Sequence, residues 1–261
     1  MTVLPIVGRE LIEASRRRST YLVRLGAAAL ALAVGCVVGT AVGQSTPGTL
    51  GQALFFSLVA LLQIYCLLVG VFRTADCLSE EKREGTLGLL FLTDLKGHDI
   101  VFGKLVATSL NAFYGALAVL PVLAIPLLIG GVAPGDFGRT VLVALNNLFL
   151  SLAVGMFCSS FCRDERRSMN LAFLILLLLA AGLPLVGAMI SSQAKAWEAY
   201  YPWFLILSPG FDAIMAFQGA ASDFARQYPG LPYFGISVGV LHVLAWLLLG
   251  ADRKSTRLNS S

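Results

Sequence analysis

Few side chains in this 261-residue sequence are of a kind that does chemistry, and their grouping limits what that chemistry can be. The densest group is Glu80-Glu81-Lys82-Arg83-Glu84-Gly85-Thr86, followed by Leu87-Gly88-Leu89-Leu90-Phe91-Leu92-Thr93. Alternating acidic and basic residues beside a short apolar run suit docking on another surface, and no nucleophile with its base stands among them. Gly97 and Gly103-Lys104 imitate a phosphate loop. That loop needs G-x-x-x-x-G-K-[ST], so that backbone amides cradle phosphates and the hydroxyl holds Mg²⁺. His98 stands where the first Gly belongs and Leu105 replaces the hydroxyl residue, so the chain itself is not expected to bind ATP. Cys158 and Cys162 lie four apart on one helical face, as a metal pair would, yet no His or acidic residue on that helix completes a ligand set. Packing explains them better. His242 is the only residue of the apolar runs weighed as a proton carrier, and a lone His there is better read as a packed, hydrogen-bonding side chain.

These residues sit in a chain that is 57% hydrophobic and 13% charged, with 26 Gly. A soluble domain carries about 25% charge, so a cytosolic domain, a disordered chain and a nucleic-acid binder are excluded. Residues free of Asp, Glu, Lys and Arg run over 25–72, 105–135, 140–162, 168–194 and 227–251. A helix needs about 20 apolar residues to cross the hydrocarbon core. The first gap is split by Gly43-Gln44-Ser45-Thr46-Pro47-Gly48-Thr49, which gives six expected spans near 21–42, 51–72, 106–130, 139–161, 169–190 and 234–251. The expected fold is therefore all-α and polytopic, because only helix satisfies the backbone of such runs in lipid. With a cytoplasmic N-terminus, the inner segments hold 13 Lys and Arg and the outer ones only Arg139, Lys195 and Arg226. This asymmetry places both ends inside. Arg16-Arg17-Arg18 before an apolar run resembles a signal peptide, but Leu25–Val42 is longer than the usual 7–15-residue core. Five Cys, an odd number mostly at membrane depth or on the inner side, argue against a disulfide framework.

The connecting segments differ in character. Leu4, Val7, Leu11 and Ala14 make residues 2–18 an amphipathic helix for the inner leaflet. Ala27, Ala31, Gly35, Gly39 and Gly43 place a small residue at every fourth position of the first span, a stripe fit for close helix packing within the chain or in a dimer. Pro121, Pro126 and Pro184 should kink the third and fifth spans. Gln63, Asn111, Asn146, Asn147 and His242 are the polar members of the spans, which hold no central carboxylate, Lys or Arg. Leu205-Ile206-Leu207-Ser208-Pro209-Gly210 is apolar but too short to cross, so an interfacial or re-entrant helical piece is expected there, beside an outer belt of Trp197, Tyr200, Tyr201 and Trp203. Gly85 permits a break after the charged run and Thr86 can cap a short helix crosswise to the membrane. Asp252–Ser261 resembles the translation of a sequencing adapter and is set aside from fold reasoning; residues 1–251 are expected to form one domain.

Glu81-Lys82-Arg83-Glu84-Gly85-Thr86-Leu87-Gly88-Leu89-Leu90, then Thr93 and Gly103-Lys104, resemble the cytoplasmic signature of ABC type-2 transporter permeases. Pro5-Ile6-Val7-Gly8-Arg9-Glu10-Leu11 is similar to the family's amphipathic lead-in helix. Asp94-Leu95 stands where many members have Pro, and Gly88 where many have Glu. The resemblance implies an exporter-type permease in the bacterial inner membrane. Two such subunits, identical or paralogous, would form the pathway, each docked on a separate ABC ATP-binding subunit that binds ATP and Mg²⁺. By similarity Glu81 and Glu84 would meet basic groups on that partner, Gly85 and Thr86 would shape the bend, Leu87, Leu89 and Leu90 would fill its apolar cleft, and Glu80, Arg83, Thr93 and Lys104 would belong to the same coupling segment. No enzyme activity, cofactor, metal or nucleic acid is expected for this chain. A self-contained secondary transporter or channel, and a membrane scaffold or enzyme, are the competing classes. Lipids, drugs, polysaccharides and copper-enzyme maturation factors all fall within the family's range of cargo.

Overall fold

The computed structural model describes residues 18–41, 46–75, 97–162, 164–193, 205–216 and 231–258. Every regular element among them is helical: α1 (Arg18–Ala41), α2 (Pro47–Thr74), α3 (Gly97–Leu123), α4 (Ile125–Ile129), α5 (Pro134–Phe161), α6 (Glu165–Leu177), a π-helical turn (Leu178–Gly182), α7 (Leu183–Gln193), α8 (Pro209–Ala216) and α9 (Leu231–Leu258). Four helical stretches are long and apolar enough to cross a membrane: Pro47–Thr74, Thr108–Ile129, Pro134–Phe161 and Glu165–Met189. They coincide with the second to fifth expected spans. The first and sixth expected spans are helical as well, with shorter apolar stretches at Ala29–Ala41 and Gly235–Ala251. The expected amphipathic helix falls, up to residue 17, outside the described residues. α9 runs on through the adapter-like residues to Leu258.

Local chemistry sets the helix ends. Pro47 and Pro134 open α2 and α5 in the first turn, where a missing N–H breaks no helical bond. α3 runs through Pro121 and stops at Leu123; the chain turns at Ala124 and restarts as α4 with Pro126 in its first turn. The third span is thus divided where two prolines crowd together. Gly130 (φ 102°) and Gly131 (φ 89°) then reverse the chain in the left-handed region that other residues avoid. This reversal is held against the start of α2, where a Cβ on Gly51 would collide with the Gly130 carbonyl. In the fifth span the π turn ends at Gly182, two residues before Pro184.

α5 is the axis of the bundle. It packs most extensively on α2 and α9 and also touches α3, α6 and α8, while α1 lies against α3 and α2. The main core gathers Phe55, Leu58 and Leu62 of α2, Leu123 of α3, Leu150, Leu152 and Met156 of α5, and Leu241 and Leu249 of α9. Cys158 is packed in that core. α6 and α7 turn Phe173, Leu174, Leu177, Leu178, Leu185 and Met189 outward, as a lipid-facing surface would. A second cluster joins Val143 of α5 to Leu205, Phe211, Met215 and Ala216 around α8. α8 is bonded to Asn147, the middle of α5, at its start and to Arg139, near the beginning of α5, at its end. It therefore runs antiparallel to the first half of α5, from the middle of that helix back to its beginning.

Candidate functional site

Glu80, Glu81, Arg83, Glu84, Gly85, Thr86, Leu87, Leu89, Leu90 and Thr93 lie outside the described residues, and Lys104 lies on α3 with its side chain outside them. The small-residue stripe divides. Ala31 is fully buried in the core, whereas Gly35 and Gly39 are half-buried and a Cβ on either would meet no described atom within 4 Å. Ala27 is on α1 with its side chain undescribed, and Gly43 is outside. Only Ala31 of the stripe is therefore seen to pack within the chain.

What the structure assembles is a seam that begins where the charged segment joins α2. Thr74, the last residue of α2, is fully buried, and its hydroxyl lies 2.8 Å from Gly70 O and 3.1 Å from Leu152 O across the interface. Ser151 Oγ lies 2.7 Å from Cys66 O across the same interface. The helices come this close because two glycines face them. A Cβ on Gly70 would stand on Ser151 Oγ and 2.7 Å from the Leu152 amide nitrogen, and one on Gly155 would stand on Thr74 Oγ1. Small residues and cross-helix hydroxyls replace water exclusion as the adhesive in lipid. Tyr65 meanwhile reaches α3, its hydroxyl 3.5 Å from Ala112 O.

The seam leads to a polar node at the middle of the bundle. Asn147 Nδ2 donates one hydrogen to Gln63 Oε1 at 2.8 Å and the other to Pro209 O at 3.1 Å. One side chain thereby ties α2, α5 and α8 together. Its neighbour Asn146 points the other way, donating to Val238 O at 3.3 Å in α9. The Trp246 indole N–H donates to His242 Nε2 at 3.0 Å, so the Nδ1 side of the ring carries the hydrogen and donates to Asn146 Oδ1 at 3.1 Å. Phe149 lies against both rings. Four of the five polar residues noted in the sequence are joined here; the Asn111 side chain is not described. Beside the node an apolar cavity of about 200 Å³ opens between Leu110 and Phe113 of α3 and Leu145, Leu148 and Phe149 of α5.

α8 has anchors beyond Asn147. Arg139 Nε donates to Ala216 O at 3.1 Å while its guanidinium pairs with buried Asp136. Ser208 Oγ donates to Ala180 O of the π turn at 3.2 Å. Ser237 Oγ of α9 lies 2.5 Å from Ile206 O and also against Asp212 Oδ1. Asp212, Ser208, Ser237 and the Gly70–Ser151 and Thr74–Gly155 pairs were not singled out from the sequence. Ser208-Pro209 carried a usable signal, since a Ser followed by Pro is a helix start. The seam carried none, because single Gly, Ser and Thr residues form no visible period.

A bundle of apolar helices around a buried polar node, four of its stretches long and apolar enough to cross a membrane, is the architecture of a multi-pass membrane protein. A family model described as ABC-2 family transporter protein matches residues 64–250, most of the chain. The chain belongs to the ABC-2 transporter family, as the signature around Glu81–Leu90 led one to expect, and is the membrane permease component of an ABC transporter, a class that works with an ABC ATP-binding subunit. The match covers the seam, α8 and all of the node except Gln63, which lies one residue before its start, and ends one residue before Ala251. Comparison with curated proteins returns no match.

Proposed function

We propose that this chain is an exporter-type permease with six spans and both ends in the cytoplasm, one of two halves of a pathway in the bacterial inner membrane. ATP and Mg²⁺ stay on the partner ATPase, which docks on the segment around Glu81–Leu92. Closure of that partner pushes the segment, and the push enters α2 at Thr74. The seam passes it to α5 without slack, and Asn147 delivers it to α8, whose movement switches access at the outer side. The observation that carries this reading is the unbroken line of close contacts from Thr74 through Gly70 and Ser151 to Gln63, Asn147 and Pro209. A packed interior transmits displacement because it resists compression. The composition of the spans and the Lys and Arg asymmetry support the orientation.

The docking step is tested by affinity purification of the full chain together with the ATP-binding subunit. Glu84→Ala combined with Leu89→Ala removes one charge and one apolar contact from the segment, and recovery of the ATPase is expected to fall at least tenfold, the equivalent of about 1.4 kcal/mol. Undiminished recovery would remove the segment from the docking role.

A further inference from the structure

We propose that Pro184, Ala180 and Ser208 form one latch, which seats α8 and fixes the π turn of the fifth span in a single event. In an α-helix the Ala180 carbonyl takes its hydrogen bond from the amide of residue 184. Here that residue is proline, which has none. The turn around it is widened, with the Leu183 amide bonded to Leu178 O, five residues back. Such π turns displace carbonyls from the regular ladder. The carbonyl is met by Ser208 Oγ, from 28 residues later, in a side chain only 1% exposed.

The contact joins two elements, as those of Ser151 and Ser237 do, whereas Ser57, Ser109 and Ser160 bond a carbonyl three or four residues back in their own helix. Ser208 immediately precedes Pro209, at the N-cap position of α8, and its hydroxyl hydrogen goes to the neighbouring span. Gly210 is also close to the same carbonyl, since a Cβ there would lie 3.9 Å from Ala180 O. Within an apolar span a half-buried carbonyl that loses a donor is costly to leave unpaired. α8 can therefore leave its seat only if the fifth span re-registers to rescue Ala180 O, and the two movements are coupled. The proline makes the acceptor, the π turn presents it and the serine takes it. The inference rests on these contacts and does not depend on the direction of transport or on the docking segment.

Hydrogen exchange of the full chain in lipid nanodiscs, read by mass spectrometry with thermal melting alongside, tests the latch. Ser208→Ala is expected to speed exchange over 209–216 about tenfold and to lower the melting temperature. Pro184→Ala, a helix-favouring change that folds, gives Ala180 O an amide of its own. It is expected to speed exchange over 209–216 to a similar degree although Ser208 is intact. The double variant should regain most of the melting temperature lost in Ser208→Ala while α8 stays fast to exchange. Ser57→Ala, which removes only a bond within α2, should leave 209–216 unchanged. Wild-type protection of 209–216 in Pro184→Ala, or a double variant whose melting loss is the sum of the two single losses, would overturn the proposal.

Discussion

Gly70→Ala is expected to force α2 away from α5, lowering stability by about 3 kcal/mol, the upper end of what overpacking a core costs. The added methyl has nowhere to go. It would meet Ser151 Oγ, which can rotate only by leaving Cys66 O, and it would sit 2.7 Å from the Leu152 amide nitrogen, which is backbone and cannot rotate at all. Gly155→Ala should be milder, because its methyl meets chiefly the Thr74 hydroxyl, a side-chain atom. The ordering of the two, Gly70→Ala worse than Gly155→Ala, distinguishes a backbone clash from the effect of helix propensity, which would act on both glycines alike and in the stabilising direction. Thermal melting in nanodiscs measures it. Function should fall further than stability in Gly70→Ala: enough folded protein remains to be purified, but the seam that links the docking segment to α8 has lost its close contact.

Asn147→Asp is expected to be the most damaging isosteric change in the chain. Asn147 gives both amide hydrogens to acceptors, Gln63 Oε1 and Pro209 O. An ionised aspartate would face those two oxygens with two more, at a position with no exposure. An uncompensated buried charge costs about 3–5 kcal/mol, and a protonated aspartate still brings one hydrogen where two are needed. Asn147→Leu should be tolerated better, and better again when combined with Gln63→Leu, because removing both partners leaves no polar side chain stranded. Melting temperatures of the three variants give the order directly: the aspartate lowest, the single leucine next, and the double leucine nearest the wild type.

The architecture was largely legible because lipid is a simple solvent. Long gaps between charges located α2, α3 with α4, α5 and the fifth stretch, since no other structure satisfies an apolar backbone there. The prolines told where hydrogen bonds would be missing, but not what would follow. Pro184 announced a lost bond; that the helix would widen rather than simply bend, and that Ser208 from far along the chain would bond the Ala180 carbonyl, could not be read from the residues around it. The polar residues of the spans were visible one by one. Their union was not, since Asn147 meets Gln63 over 84 positions and His242 meets Asn146 over 96, separations that only packing decides. The apolar run Leu205–Gly210 pointed to a short piece, and the helix proved to start at its end and continue to Ala216, carrying Asp212 into the interior. The regular small-residue stripe of α1 drew the eye, yet tight helix contacts fall on the isolated Gly70 and Gly115. Periodicity reports a face, whereas a single close approach depends on the residue opposite.

The most direct test of a relay from the docking segment to the outer helix compares hydrogen exchange of the assembled transporter, with its ATP-binding subunit, in the absence and presence of a non-hydrolysable ATP analogue. Exchange over 209–216 should change about tenfold on nucleotide binding while 63–74 and 147–155 keep their protection, the pattern of a rigid seam moving a seated helix. Loosening of 63–74 and 147–155 with 209–216 unaltered would contradict it.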